Sequence, residues 1–210
     1  MFELDGVKLL YHNSIRIAKD KKIYIDPYKI NKDYNDADIV LITHPHYDHF
    51  SLKDISKVSC DYTVFFGPEE CKNDLINIGV NEANFIAVKP YESFDYEETV
   101  KIKTVPAYNK NKDFHPKKKE WVGYIIEIDK NKYYIAGDTD SLRELNKIEC
   151  DVAFIPIGGT YTMNYAEAAA LTNKIKPKYV IPTHYGTIVG EPECGIFFEE
   201  LIDKKIECII

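Results

Sequence analysis

Four potential metal ligands are crowded into one short stretch of the sequence, Thr43-His44-Pro45-His46-Tyr47-Asp48-His49. Of the six histidines in the chain, three lie here beside an aspartate. Imidazole and carboxylate groups are the ligands that hold zinc and similar divalent ions. A chance arrangement of this kind is expected in roughly one of a few thousand such sequences. The stretch therefore predicts a metal site, and the alternative is a polar surface loop that is rich in histidine.

Strand-like segments place further candidate ligands. Asp138 and His184 each directly follow an apolar segment that is predicted to be a strand, and His115 lies in the loop after another. Ligands at the ends of neighbouring strands point into one crevice in layered α/β folds. We therefore expect these three residues to join the histidine-rich stretch.

Periodicity and turn residues predict the elements that position these side chains. Strands are expected at residues 7–11, 14–18, 22–25, 38–42, 62–66, 85–88, 100–105, 121–128, 133–136, 152–155, 179–181 and 206–210. Helices are expected at residues 51–58, 67–79, 141–148, 165–175 and 192–204. Strands that come early and alternate with helices late predict an α/β fold with sheets between helical layers. The composition shows no break, so one domain over residues 1–210 is expected.

The order of these motifs resembles the metallo-β-lactamase-fold hydrolases. The resemblance rests on His-x-His-x-Asp-His at residues 44–49, Gly137-Asp138-Thr139 and Pro182-Thr183-His184. With residues 156–164, it extends to the branch that includes ascorbate-phosphate lactonase-like small hydrolases. It implies an αββα sandwich, in which two mixed β-sheets pack face to face between layers of helices.

The resemblance also implies two adjacent metal sites. His44 and His46 would bind the first ion with a loop histidine, while Asp48, His49 and His184 would bind the second and Asp138 would bridge the two. Relatives often place the loop histidine where this chain has Asn109. Either His115 or a water completes the first site.

Two divalent ions lower the pKa of a bound water from ~15.7 towards ~7, so hydroxide is available for hydrolysis at neutral pH. Asp48 is the candidate catalytic residue, because its carboxylate can orient that nucleophile. Zinc is expected, with manganese or iron as alternatives. Asp26, Thr43, Thr139 and Thr183 are candidates to hydrogen-bond the ligand imidazoles.

Net charge and cysteine content limit which partners and which cellular compartment are expected. The net charge of −7 disfavours a nucleic-acid-binding function. The lysines of one loop could attract an anionic small-molecule substrate, and they are Lys110, Lys112, Lys117, Lys118 and Lys119. No segment is apolar for the ~20 residues that a membrane span needs. Five scattered cysteines and an N-terminus unlike a signal peptide predict a cytoplasmic protein. The sixteen tyrosines leave a homo-oligomer open.

The leading hypothesis is a metal-dependent, binuclear zinc hydrolase of a small, anionic ester, lactone or phosphodiester. One alternative is a nuclease of the same fold that acts on RNA or DNA. Another is a metal-binding module without catalysis, although closed structural zinc sites usually contain cysteine.

Overall fold

The computed structural model describes Leu4 and residues 6–210. The chain divides into two compact units, an N-terminal unit over residues 1–88 and a C-terminal unit over residues 89–210. Each unit contains one mixed β-sheet together with helices. The predicted α/β class with two mixed sheets is thereby confirmed. The single domain and the face-to-face packing of the sheets stay predictions.

The N-terminal unit has six strands in sequence order. They are β1 (Val7–Tyr11), β2 (Ser14–Ala18), β3 (Lys22–Ile25), β4 (Ile39–Leu41), β5 (Val64–Gly67) and β6 (Phe85–Ala87). Strands β1 to β3 pair antiparallel, and β3 to β6 pair parallel. Helices α1 (Leu52–Val58) and α2 (Lys72–Asn77) accompany them. Buried Val40, Phe65 and Leu75 are part of the apolar core of this unit.

Helix α1 begins where the histidine-rich stretch ends. Ser51 is its N-cap, and the Ser51 hydroxyl accepts a hydrogen bond from the backbone N–H of Asp54. Such a cap satisfies an N–H group that the first helical turn leaves without a partner. The helix predicted at residues 51–58 is confirmed, and its cap fixes the chain direction shortly after His49.

The C-terminal unit has a seven-stranded sheet in the order β13-β12-β11-β10-β9-β8-β7. Its strands are β7 (Ser93–Tyr96), β8 (Val100–Pro106), β9 (Val122–Ile128), β10 (Asn131–Ile135), β11 (Val152–Pro156), β12 (Tyr179–Thr183) and β13 (Glu207–Cys208). Strands β7 to β10 pair antiparallel, and β10 to β13 pair parallel. Helices α3 (Tyr165–Ile175) and α4 (Cys194–Leu201) complete the unit.

Helix α3 shows how closely local sequence fixes an element. Asn164 caps it, and Glu167 reaches back to the N–H of Asn164, which forms a capping box. Buried Ala168, Leu171 and Ile175 recur at helical spacing and join the core of the unit. Both predicted ends of this helix are confirmed.

Several elements differ from the sequence-based expectation, among them the helix expected at residues 67–79, which is a 3₁₀ helix at Glu69–Cys71 followed by α2. Strand β7 was not predicted, because it is half polar and no residue of it is fully buried. The helix expected at residues 141–148 is a 3₁₀ helix at Arg143–Lys147. Among the residues that the structure describes, none of the helices combines the length and the apolar character that a membrane crossing requires.

Candidate metal centre

The histidine-rich stretch starts at the carboxyl edge of two parallel strands of the N-terminal unit. Strands β3 and β4 pair in register, with Ile25 opposite Leu41. Asp26 therefore follows one strand beside the place where Thr43 and His44 follow the other. Neighbouring parallel strands deliver polar residues to one edge of a sheet in this way.

The imidazoles and the carboxylate of the stretch lie close together. The Nε2 atom of His44 is 3.0 Å from the Nδ1 atom of His46. The ligand atoms of His12, Asp48 and His49 all lie within 4.8 Å of one another. The structure thus brings the four predicted ligands of this unit together.

His12 is a further member of this cluster that sequence reasoning missed. Its Nε2 atom lies 3.3 Å from the Oδ2 atom of Asp48, and its side chain is fully buried. The sequence held a signal for it, because His12 directly follows β1 just as His184 follows β12. His12 lies far from residues 44–49 in the sequence, so the motif itself does not include it.

Asp26 stabilises the cluster through hydrogen bonds to its buried carboxylate. Its carboxylate accepts four hydrogen bonds, from the side chain of Asn13, from the backbone and the hydroxyl of Thr43, and from His49. An ionised carboxylate accepts only, so the Nδ1 atom of His49 carries the hydrogen in the 2.7 Å contact with Asp26. The lone pair of His49 is then on Nε2, the atom that faces Asp48 at 3.7 Å.

The same carboxylate sets the tautomer of His44 through Thr43. The single hydroxyl hydrogen of Thr43 points to Asp26 at 2.7 Å. The Thr43 oxygen therefore accepts a hydrogen bond from the Nδ1 atom of His44, which is 3.0 Å away. The lone pair of His44 is consequently on Nε2, next to His46. Hydrogen bonds of this kind fix the orientation of metal-binding histidines, and the expected contacts of Asp26 and Thr43 with imidazoles are present.

Twelve described residues other than glycine have positive φ angles, and three of them are candidate ligands or the Asp26 anchor. His12 and Asp26 have φ angles of 55° and 46°, and His184 in the C-terminal unit has a φ angle of 58°. Left-handed backbone at residues other than glycine is uncommon, and it clusters at functional sites. At Asp26, the four hydrogen bonds to the carboxylate offset this local strain.

The C-terminal unit holds a second group of candidate ligands. The Nε2 atoms of His115 and His184 lie 3.3 Å and 3.1 Å from the Oδ2 atom of Asp138. All three side chains are buried. His115 therefore lies beside Asp138 and does not extend into solvent as an exposed loop residue. The three predicted ligands of this unit are together.

Asn109 determines how His115 is oriented. The amide nitrogen of Asn109 donates to Asp140 at 3.1 Å and to the carbonyl oxygen of Tyr161 at 2.9 Å. Its amide oxygen therefore faces the Nδ1 atom of His115, 3.0 Å away, and accepts from it. The lone pair of His115 is then on Nε2, which faces Asp138.

The lysine-rich loop is held by its own partners. The Nζ atom of Lys112 lies 2.7 Å from Asp140 and donates to the carbonyl oxygen of Thr162. Lys117 lies over the ring of Tyr108, with its Nζ atom 4.8 Å from the ring centroid. Lys112 in particular stabilises the loop that carries Asn109 and His115.

The two remaining threonines do not support a ligand. The Thr139 hydroxyl contacts the carbonyl oxygens of Tyr108 and Asp140. The Thr183 hydroxyl is buried, and none of the residues that the structure describes hydrogen-bonds to it.

Gly158 packs closely against His184, because a Cβ atom at residue 158 would overlap the carbonyl oxygen of His184.

The two groups supply donors of the kinds that bind divalent ions. The donors are imidazole nitrogens and carboxylate oxygens, and the tautomers of three histidines are set by a second hydrogen bond. That the two groups form one centre stays a prediction.

The chain is similar in sequence to a known protein family and to metal-dependent hydrolases. Residues 6–184 match the family model described as "Beta-lactamase superfamily domain". A UPF0173 metal-dependent hydrolase of Thermococcus onnurineus is 32% identical, over 97% of this chain and 95% of that protein. Another UPF0173 metal-dependent hydrolase, from Pyrococcus horikoshii, is also 32% identical with the same coverage.

Solved structures agree with this match. A candidate metal-dependent hydrolase from Parabacteroides distasonis is 31% identical, with a TM-score of 0.84 over 97% of this chain and 91% of that chain. Igni18, a metallo hydrolase from Ignicoccus hospitalis, is 26% identical, with a TM-score of 0.76 over 97% of this chain and 93% of that one.

Proposed function

Because the chain belongs to the β-lactamase superfamily domain family and is a metal-dependent hydrolase of the metallo-β-lactamase fold, we propose that it hydrolyses a small anionic ester, lactone or phosphodiester with two divalent ions. Zinc is the ion that we favour, with manganese or iron as alternatives. The observation that carries the proposal is that the Nδ1 atoms of His44, His49 and His115 are each hydrogen-bonded to another residue, which leaves their Nε2 atoms for an ion.

The proposed ligands divide into two sets. His44, His46 and His115 would hold the first ion, Asp48, His49 and His184 would hold the second, and Asp138 would belong to both sets. Within each unit the contacts support this division, since His44 faces His46, and both His115 and His184 face Asp138.

When bound, divalent ions polarise the scissile bond and lower the pKa of water. The protein residues hold and orient the reactants. The Asp48 carboxylate accepts a hydrogen bond from the attacking water and orients its lone pair towards the substrate. Asp26 and Thr43 keep the neighbouring imidazoles in place while charge changes around them.

The donor types favour catalysis over a structural metal site. Closed structural zinc sites usually contain cysteine, whereas all five cysteines of this chain are free thiols outside both ligand groups. We also place the protein in the cytoplasm, because free, widely spaced thiols are typical of a reducing compartment.

Metal analysis and a substrate panel test the proposal together. We expect mass spectrometry to find close to two ions per chain, and fewer in His46→Ala and Asp138→Ala. Against 4-nitrophenyl esters, phosphodiesters and lactones, Asp48→Ala should be at least about 100-fold slower than wild type, as for loss of a positioned catalytic carboxylate. Asp33→Ala, which changes an exposed aspartate of the same unit, is the control. Equal rates for wild type and Asp48→Ala across the panel would refute hydrolysis by this centre.

A further inference from the structure

Three tyrosines and a lysine form a cluster next to the candidate ligands of the N-terminal unit. The ring centroids of Tyr11 and Tyr28 are 5.9 Å apart, and those of Tyr28 and Tyr47 are 6.1 Å apart. The Nζ atom of Lys29 donates to the Tyr11 hydroxyl at 3.0 Å. We call these four residues the tyrosine–lysine rim.

The chain connects this rim directly to the ligand cluster. Tyr11 precedes His12, and Tyr47 precedes Asp48, while Tyr28 and Lys29 come shortly after Asp26. The same three segments that hold ligands and their anchor therefore also hold the rim. His12 and Asp48 are 3.3 Å apart, and the ring centroids of Tyr11 and His12 are 6.4 Å apart.

Lys29 gives the rim its charge. Its Nζ atom lies 4.6 Å from the ring centroid of Tyr11 and 5.7 Å from that of Tyr28. Within the described part of the chain, the partners of this ammonium are tyrosine groups, and no carboxylate is among them. Asp54 accepts a hydrogen bond from the backbone N–H of Lys29, but its carboxylate is paired with Lys57. The ammonium is thus a positive charge without an acidic partner.

The tyrosine–lysine rim is exposed to solvent. Lys29 is exposed, and Tyr47 is 65% exposed although tyrosine is usually at least partly buried. Lys29 also has a φ angle of 51°, which is uncommon for lysine. An exposed aromatic side chain beside a fixed cation is an arrangement that recognises ligands with both an anionic group and an apolar part.

We propose that the tyrosine–lysine rim is the specificity subsite of the hydrolase, where Lys29 binds the carboxylate or phosphate group of a small anionic substrate and the tyrosine rings contact its apolar part. This inference rests on the proposed function and names the residues that select the substrate. Lys29 acts through the anionic group, and it takes no part in bond cleavage.

Two esters that share a leaving group test the subsite. Mono(4-nitrophenyl) succinate carries a terminal carboxylate, and 4-nitrophenyl butyrate has the same chain length without it. Lys29→Met keeps the apolar stem and removes the charge, whereas Lys29→Arg keeps the charge. We expect Lys29→Met to lower kcat/KM for the succinate ester about tenfold relative to the butyrate ester, the effect of one charge-assisted hydrogen bond. Lys29→Arg should largely keep the wild-type ratio.

Lys32→Met is the matched control, because Lys32 also stands over a tyrosine ring, with 4.7 Å between its Nζ atom and the centroid of Tyr34. It should leave the ratio unchanged. If both esters are hydrolysed but Lys29→Met leaves their kcat/KM ratio at the wild-type value, the rim is not the subsite although the proposed function stands.

A binding measurement separates the two hypotheses when neither ester is hydrolysed. Metal-loaded protein with ¹³C-labelled tyrosine rings is titrated with succinate, and in parallel with methyl phosphate. Shifts of the Tyr11, Tyr28 and Tyr47 signals that disappear in Lys29→Met support the rim even if the proposed function fails. Titrations with both anions that leave these signals unmoved in wild type overturn it.

Discussion

The Asp26 carboxylate lies 2.7 Å from the Nδ1 atom of His49, and both side chains are completely buried. A buried carboxylate is costly unless hydrogen bonds replace its hydration. Asp26 has four such bonds, two of them from Thr43. The residue therefore combines two roles, because the bonds that make its burial tolerable also orient His49 and, through Thr43, His44.

We predict that Asp26→Asn weakens metal binding about tenfold to hundredfold, as is usual when a residue that supports a metal ligand is changed. The Oδ2 atom of Asp26 accepts from Asn13, Thr43 and His49. An amide nitrogen in that place would face three donors. Asparagine also tolerates the φ angle of 46° at this position, so the substitution isolates the carboxylate from the backbone.

Competition with a chelator measures this affinity, and thermal unfolding measures the stability of the metal-free protein. We expect a loss of about 1–3 kcal/mol in the latter, because buried donors lose their charged acceptor. Asp20→Asn, at an exposed position of the same unit, should change neither quantity. Unchanged metal affinity in Asp26→Asn would show that the imidazoles are oriented without this carboxylate.

A second prediction concerns His12, whose Nε2 atom is 3.3 Å from Asp48. Replacement by asparagine suits the φ angle of 55° and removes the imidazole. We expect kcat/KM to fall about tenfold to hundredfold, because Asp48 loses the group that orients it. Steady-state kinetics on the substrate of the panel that wild type turns over fastest measures this. Wild-type kcat/KM in His12→Asn would mean that His12 has only a packing role.

His12 also shows where sequence reasoning stops. The ligands in residues 44–49 were recognisable because they are adjacent in the sequence, and Asp138 and His184 because each follows an apolar strand. His12 is a single histidine after a short strand, and the pairing of β1 with β2, β2 with β3 and β3 with β4 brings it near Asp48. Its position after β1 is visible in the sequence, but no short motif specifies its contact with Asp48, which depends on how four strands pair.

The same limit applies to the orientation of His115. Its residue type predicted a ligand, but its position relative to Asp138 depends on a loop whose conformation Asn109, Asp140 and Lys112 set by side-chain hydrogen bonds. By contrast, α3 was predicted to the residue, because its capping box and apolar spacing are local.

A third prediction follows for Asn109. Asn109→Leu removes the acceptor that fixes the Nδ1–H form of His115, which is 3.0 Å away. We expect ¹⁵N NMR of the metal-free protein to show a mixture of both His115 tautomers, and metal content to fall below the wild-type value. Asn111→Leu makes the same change at an exposed position of this loop and should leave both unchanged. A wild-type tautomer in Asn109→Leu would contradict the assignment.

A fourth prediction concerns metal removal. Ions that bind only the folded state stabilise it by about 2.7 kcal/mol at a concentration 100 times Kd. We therefore expect Tm to fall by about 5–10 °C after dialysis against a chelator and to recover on addition of zinc. Differential scanning calorimetry with and without zinc measures the shift. If the fully zinc-loaded protein and the chelator-dialysed protein have the same Tm, binding by the folded ligand groups would be contradicted.

The last prediction uses two completely buried tyrosines with opposite environments. The hydroxyl of Tyr24 is bonded to Arg16 and Asp36, at 2.7 Å in both cases. The hydroxyl of Tyr134 is buried, and no hydrogen-bond partner for it lies among the described residues. Burial also raises the pKa of Tyr134, so this hydroxyl is neutral at physiological pH.

Removing the two hydroxyl groups should therefore change stability in opposite directions. Tyr134→Phe should stabilise the protein by about 1 kcal/mol, because a buried polar group without a partner is destabilising. That corresponds to a rise in Tm of about 2–4 °C. Tyr24→Phe should destabilise it by about 1–3 kcal/mol, since Arg16 and Asp36 lose a shared partner. Each substitution removes one oxygen atom and keeps the ring, so calorimetry of the pair compares hydrogen bonding at matched burial. A loss of stability in Tyr134→Phe as large as in Tyr24→Phe would show that the Tyr134 hydroxyl is satisfied by a bound water.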